Sequence, residues 1–315
     1  MLIKLETKSL REAYGQCLVE LGKRNKNVVV LEADLGKSTR TVLFKEAFPD
    51  RFFEMGIAEQ NMASTAAGFA LAGKIPFYNS FAVFASGRAF DQIRNSICIP
   101  KLRGRICGSS CGLSDFGDGK THQSVEDIAV LRGIPHMTVL SPADAVETVM
   151  MMEAMLDVEG PVYIRINRND LPIVTPENEP YQIGKIWELR KGKDVAIFAT
   201  GYMVKKALEA AEELSHEGIE VRVLNVSTIK PLDTNAVISY AKGAKAIVTV
   251  EEHSVIGGLG SAISEALRKE AHPPIECIGI QDKFGTSAKA YEELLEAYGL
   301  TSKAITRTVR SLVGR

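Results

Sequence analysis

The chain repeats one pattern almost from end to end: a short β-branched apolar run, a polar or glycine-containing turn, then a longer run with helical spacing. Strand-like runs are expected at 27–35 (NVVVLEADL), 75–81, 105–109, 137–140 and 161–167, with helices over 58–72, 84–99, 125–133 and 143–156. Ser141 followed by Pro142 is the expected cap of the last of these. After the proline-rich, aperiodic stretch 172–183 (PIVTPENEPYQI), a natural linker, the alternation restarts. Strands are expected at 194–200, 220–226, 246–250 and 275–280, and helices over 203–216, 234–242, 260–271 and 290–298. Strand–helix–strand steps close with right-handed crossovers and build parallel sheets. The expected fold class is therefore α/β: two three-layer α/β/α domains with mainly parallel sheets, residues 1–180 and 190–315.

Composition narrows the function classes. A length of 315 residues suits two domains, and 45% apolar with 24% charged residues is ordinary for a globular chain. The formal net charge of -1 gives no electrostatic footprint for nucleic acid or an anionic membrane. No run approaches the roughly 18 apolar residues of a membrane span. The first residues (MLIKLETKSLREAYG) lack a signal-peptide core, so a cytoplasmic location is expected. The five cysteines include no C-x-x-C pair; Cys107 and Cys111 read as buried thiols on a strand and its following loop rather than as metal ligands.

In open α/β sheets, sites form in loops beyond the carboxyl ends of the strands. That directs attention to 32–38, 80–84, 109–122 and 167–170, which hold carboxylates, a histidine, aromatics and arginines. The corresponding loops of the second half, 200–202, 227–230 and 251–253, are thinner in such groups. Glu59 opens an Ala/Gly/Ser-rich helix directly after the strand-like 52–55. On position alone, the helix dipole explains a first-turn glutamate.

Residues 55–62 (MGIAEQNM) together with 118–123 (DGKTHQ) resemble the pyrimidine-binding half of transketolases. The resemblance spans nearly the whole chain, with a transketolase C-terminal-like domain after the linker. It implies a thiamine diphosphate-binding fold and makes Glu59 the carboxylate that activates the cofactor by hydrogen bonding to its aminopyrimidine. A buried setting raises the pKa of such a group and keeps a proton available. The resemblance also implies that Phe84 and Phe81 pack on the pyrimidine ring, that Asp34 and Leu35 lie near the cofactor, and that His122 moves protons at the substrate hydroxyls. Asp118 then reads a substrate hydroxyl, and Arg168, Arg11 and Ser38 hold the phosphate of a sugar phosphate. Arg11 and Ser38 are equally readable as a surface cation and a helix cap. Two departures stand out: a further tyrosine of the family falls on Gly87, and a phosphate-side histidine falls on Ser110.

The diphosphate-binding domain that precedes this region in a full-length transketolase has no counterpart in the sequence. The resemblance is therefore to the C-terminal member of a split transketolase, active only with an N-terminal partner in an α2β2 assembly. That partner would hold Mg²⁺ and the diphosphate. The Gly117-Asp118-Gly119 triplet imitates the start of the metal motif, but the next asparagine is Asn167, far beyond the required spacing, so no metal site is expected in this chain. Gly257-Gly258-Leu259-Gly260 reads as a tight turn with close helix packing rather than a dinucleotide fingerprint. Rival readings are a 1-deoxy-D-xylulose-5-phosphate synthase, whose pattern Arg88 resembles, a 2-oxo-acid dehydrogenase beta subunit, and a non-catalytic paralogue.

Overall fold

Val28, Val29, Val30 and Leu31 are all buried, so the strand they form has core on both faces, the signature of an interior parallel strand. The structure, a computed structural model, describes residues 6–177 and 180–314. The extreme amino-terminal residues, two positions of the proline-rich linker and the final residue lie outside the described residues.

Strands are numbered in chain order. β1 (Thr7–Ser9) and β8 (Asp170–Pro172) make a small antiparallel ribbon. The larger sheet has seven strands. From one edge they are β12 (Thr228–Lys230), β6 (Thr138–Leu140), β7 (Val162–Ile166), β5 (Arg105–Ser109), β4 (Ile75–Phe81), β2 (Val28–Glu32) and β3 (Phe52–Glu54). The second sheet runs β14 (Ile275–Ile280), β13 (Ala246–Ser254), β10 (Val195–Ala199), β11 (Val221–Asn225) and β9 (Trp187–Arg190). Both are parallel except at one edge each, where β12 and β9 pair antiparallel. Helices cover the sheets, and the α/β class expected from the alternation holds. Among the described residues no helix is long and apolar enough to cross a membrane.

The helix Glu59–Leu71 forms because its sequence is alanine-rich, and it buries Met62, Ala63, Ala66 and Ala67 while Ser64 and Gly68 face outward. Four α-helices escaped the sequence reading, the short Gly36–Thr39 and Val42–Ala47 and two long ones. Leu10–Arg24 is capped by the Ser9 hydroxyl and buries Leu10, Tyr14, Leu18 and Leu21; Ser302–Leu312 is capped by Thr301.

Three expectations are corrected. The cap before Ala145–Ala154 is Asp144, not Ser141: its carboxylate accepts from the Glu147 amide and also holds Val174 and Thr175, so one side chain caps the helix and pins the linker. The 84–99 helix is mostly wound as π-turns, Phe84–Arg88 and Ile93–Cys98, with only a short α segment between. Neither 251–253 nor 228–230 is a loop: the first continues β13 and the second is the edge strand β12.

β12 lies in sequence between strands of the second sheet yet pairs with β6 of the first, Thr228 opposite Leu140 and Lys230 opposite Val139. The Lys230 ammonium donates to the carbonyls of Arg132 and Ile134. The two halves of the chain are thus joined by a shared sheet edge, beyond the linker itself.

Candidate functional site

Glu59 stands at the start of its helix, where Ala58 offers no side-chain cap. It is 1% exposed. The Ser80 hydroxyl at the end of β4 donates to one carboxylate oxygen at 3.1 Å, and the Arg88 guanidinium donates to the other at 2.8 Å. Arg88 also lies 4.4 Å from the centre of the Phe84 ring. The π-turn explains this: i→i+5 winding sets the residue four places along almost above the first, so Phe84 and Arg88 share one side. Gly87 opens onto space, with nothing within 4 Å of where its Cβ would sit. The result is a planar, hydrogen-bond-donating group held between an aromatic face and a buried carboxylate.

The glycine-rich loop after β5 closes over the same place. His122 meets Phe84 edge-on at 5.4 Å between ring centres and Phe81 at 6.2 Å, while the two phenylalanines stack nearly parallel at 6.2 Å. The ring nitrogen Nδ1 of His122 is 3.0 Å from the Thr121 hydroxyl. Phe81 is buried, whereas Phe84 and His122 are half-buried and Asp118 is exposed. Glu59, Phe81, Phe84 and His122 are therefore brought together around one opening.

Arg168 follows β7. Its backbone N–H donates to the Ser114 hydroxyl, and its guanidinium donates to Asp115 at 2.9 Å and lies 5.9 Å from the Phe81 ring centre. Asp115 is 2% exposed; burial pushes its carboxyl up, Arg168 pulls the other way, and contact with the Asp118 carboxyl pushes up again. Arg11 donates to the Ser38 carbonyl at 2.9 Å. Burial, then the Arg168 charge, lowers its pKa, with Asp170 opposing, so the two arginines face one region. Ser110 sits at φ 55, buried, with no partner for its hydroxyl among the described residues.

Asp34, Leu35 and Ser38 instead line a separate cleft of about 370 Å³ with Phe52 and Glu54, and neither Glu59 nor Phe84 is part of its wall. Ser38 is not a cap: it lies inside the short helix Gly36–Thr39. Its loop is organised by Glu32, which the sequence places at the loop's start without a role. This fully buried carboxylate accepts from the Ala33 amide and the Thr39 and Thr41 hydroxyls, and burial pushes its pKa up to about 7.

A second polar cluster, of which only 251–253 was noted in the sequence, joins the sheets. Asp127 and Arg165 form a buried bidentate pair at 2.7 and 3.0 Å, with the Tyr163 hydroxyl donating to Asp127. Glu252 accepts from the Leu113 amide, Asn167 and the Tyr291 hydroxyl, while His253 accepts from the Ala129 amide. Glu251 accepts from the amides of Leu259 and Gly260 at the next helix's start, and a Cβ on Gly258 would lie 2.0 Å from its carboxylate. That helix start is filled by the protein's own anion, which gives the glycine run its structural reason. Burial pushes Glu251 and Glu252 up to about 7 and His253 down to about 4. The available signal was Arg165 in the middle of the apolar strand VYIRI: a charge there requires a buried partner. Cys107 and Cys111 are buried thiols, Cys111 pushed up to about 12 by burial. Among the described residues no three His, Cys, Asp or Glu are grouped to hold a metal ion.

Comparison with known proteins agrees with this geometry. The family model "Transketolase, pyrimidine binding domain" matches residues 6–174, and "Transketolase, C-terminal domain" matches 184–305. A protein of Methanocaldococcus jannaschii named as a transketolase C-terminal section is 44% identical over 96% of this chain and 95% of its own. A 6-deoxy-6-sulfo-D-fructose transketolase subunit of Clostridium sp. (strain MSTE9) is 41% identical over 99% and 97%. A solved split-gene transketolase, described as an inactive beta4 tetramer, superposes with a TM-score of 0.89 at 46% identity, covering 98% of this chain and 99% of that one.

Proposed function

The chain belongs to the transketolase family, a family of thiamine diphosphate-dependent transferases, and from that premise we propose that it is the C-terminal subunit of a two-chain transketolase. The reaction is transfer of a two-carbon ketol unit from a ketose phosphate to an aldose phosphate. The observation that carries this reading is Glu59, 1% exposed and bonded to a planar fork that also covers Phe84. An aminopyrimidine asks for the same pair of contacts, an aromatic face and a buried carboxylate partner, so the residues present fit thiamine diphosphate. That cofactor, when bound, supplies the carbon nucleophile that carries the two-carbon unit between donor and acceptor.

Glu59 would hold the pyrimidine ring nitrogen once Arg88 yields its place, with Phe84 and Phe81 fixing the ring plane. His122, half-buried and edge-on to both rings, would take and return protons at the donor's hydroxyls, the range of an imidazole suiting that task. Asp118 would read a substrate hydroxyl, and Arg168 and Arg11 the terminal end of the sugar. Asp34, Leu35 and Ser38 line their own cleft, so a contact from them to cofactor or sugar would come from that side.

Mg²⁺ and the diphosphate fall to an N-terminal partner chain, in an α2β2 complex; the relatives named as a C-terminal section, a subunit and a split-gene product support this division. Residues 1–180 and 190–315 are the proposed working units, and the cytoplasm the proposed location. The test is to assay the chain, alone and with the diphosphate-binding chain, on xylulose 5-phosphate and on pyruvate. Ketol transfer by the complex alone supports the proposal. Pyruvate turnover would favour the 1-deoxy-D-xylulose-5-phosphate synthase or 2-oxo-acid dehydrogenase rivals, and transfer by the isolated chain would overturn the two-chain reading. Full activity in a Glu59→Ala complex would leave the non-catalytic reading of this chain standing.

A further inference from the structure

Arg168 is the cation best placed to meet the far end of a bound sugar, yet it is already engaged. Its guanidinium donates to Asp115, and among the described residues it makes no other hydrogen bond. Asp115 is fixed: it is 2% exposed, lies in the loop that also carries Asp118 and His122, and follows Ser114, whose hydroxyl makes a second tie to the Arg168 backbone. Arg168 itself is a third exposed, so its remaining N–H groups face the opening.

Charge around this end is nearly balanced before any substrate arrives. Arg11 and Arg168 supply two cations; Asp170 and Asp115 act on Arg11, Asp115 is ion-paired with Arg168, and the Asp118 carboxyl contacts Asp115. Arg11 spends part of its own fork on the Ser38 carbonyl, and Arg40, the next cation, is paired with Glu12. A terminal phosphate dianion would enter beside a buried carboxylate and meet arginines already held by acceptors. A terminal hydroxyl brings no charge and can use the free N–H groups as they stand.

We propose that Asp115 is a specificity-determining residue: by holding Arg168 it lowers the advantage of a terminal phosphate and admits non-phosphorylated ketoses as donors. The proposal rests on the ketol-transfer reading. A site built around a group rejects the analogue lacking it by roughly 10⁴–10⁵-fold, whereas here the preference for the phosphorylated donor should stay below about 100-fold.

The experiment compares kcat/KM for D-xylulose 5-phosphate and D-xylulose, with one common acceptor, in the complex of this chain with its diphosphate-binding partner. In the wild-type complex the ratio is expected below about 100-fold, and a ratio near 10⁴ overturns the proposal without any variant. In Asp115→Asn, which keeps size and an acceptor but removes the charge, the ratio rises about ten-fold through a lower KM for the phosphorylated donor. An unchanged or lowered ratio overturns the proposal, since Asp115 would then merely orient Arg168. Absence of transfer from either donor in the wild-type complex overturns the ketol-transfer reading and takes this proposal with it.

Discussion

The carboxyl ends of the two sheets hold comparable numbers of titratable groups and treat them in opposite ways. Beyond β3, β5 and β7 stand Glu59, His122, Asp118 and Arg168, of which only Glu59 is buried, with ring faces and N–H groups turned toward an opening. At the end of β13, Glu251, Glu252 and His253 are all buried, and every one is engaged by a backbone amide or a side chain of a neighbouring element. Richness in acids and bases does not distinguish a reactive site from a structural one; what differs is whether the bonded groups border an opening. The partners of the first cluster, such as half-exposed Arg88, stand where a ligand can displace them, and those of the second are sealed inside.

The contrast breaks most sharply at Glu59. Glu59→Gln is expected to cut ketol transfer by the complex about 10⁴-fold while leaving the thermal midpoint of the chain within a few degrees, because Arg88 is free to turn to solvent. Comparable loss of stability would move Glu59 into the structural class. Arg165→Met tests the other side: stranding Asp127 should cost about 3–5 kcal/mol in chemical denaturation. A neutral result would mean that the buried pair can be dispensed with.

The pH dependence sharpens the comparison further. Glu252 is raised to about 7 from an ordinary 4.5. Below the lower value both folded and unfolded chains carry the proton. Between the two only the folded chain keeps it, so this group's contribution to stability is lost as pH rises toward 7. Glu252→Gln should remove about 3 kcal/mol of that dependence, read as denaturation midpoints at pH 5 and 7.5. His253, lowered to about 4, acts oppositely and destabilises as pH falls below 6.5, so His253→Gln should flatten the acid limb. The smallest expected effect is His122→Ala, about a 100-fold loss of kcat with stability unchanged, checked by steady-state kinetics and thermal melting.

The alternation of apolar runs was enough for the interior parallel strands, because strands such as β2 and β10 are apolar on both faces and need no partner information, but it missed the antiparallel edges β9 and β12. It missed Leu10–Arg24, whose charged outer face interrupts the apolar stripe, and the π-winding after Phe84, which has no spacing of its own in the sequence. Glu59, His122 and the two phenylalanines were readable from short segments whose geometry is set locally, by a strand end and a helix start. The Asp115–Arg168, Asp127–Arg165 and Glu252–Tyr291 contacts were not, since each joins residues 38 to 53 positions apart whose pairing exists only after the chain has folded. Arg88 was seen as a fragment of a pattern, and only the fold turned it toward Glu59.

The strand β12 bears on how such a chain is made. β6 is complete once Leu140 has left the ribosome, but its outer neighbour begins at Thr228, after three strands of the other sheet. Throughout that interval a nascent chain carries a bare sheet edge, the kind of surface that recruits foreign strands. Synthesis therefore favours a host that shields the growing polypeptide until the late strand arrives, and a truncated product ending at the proline-rich segment would be left permanently adhesive.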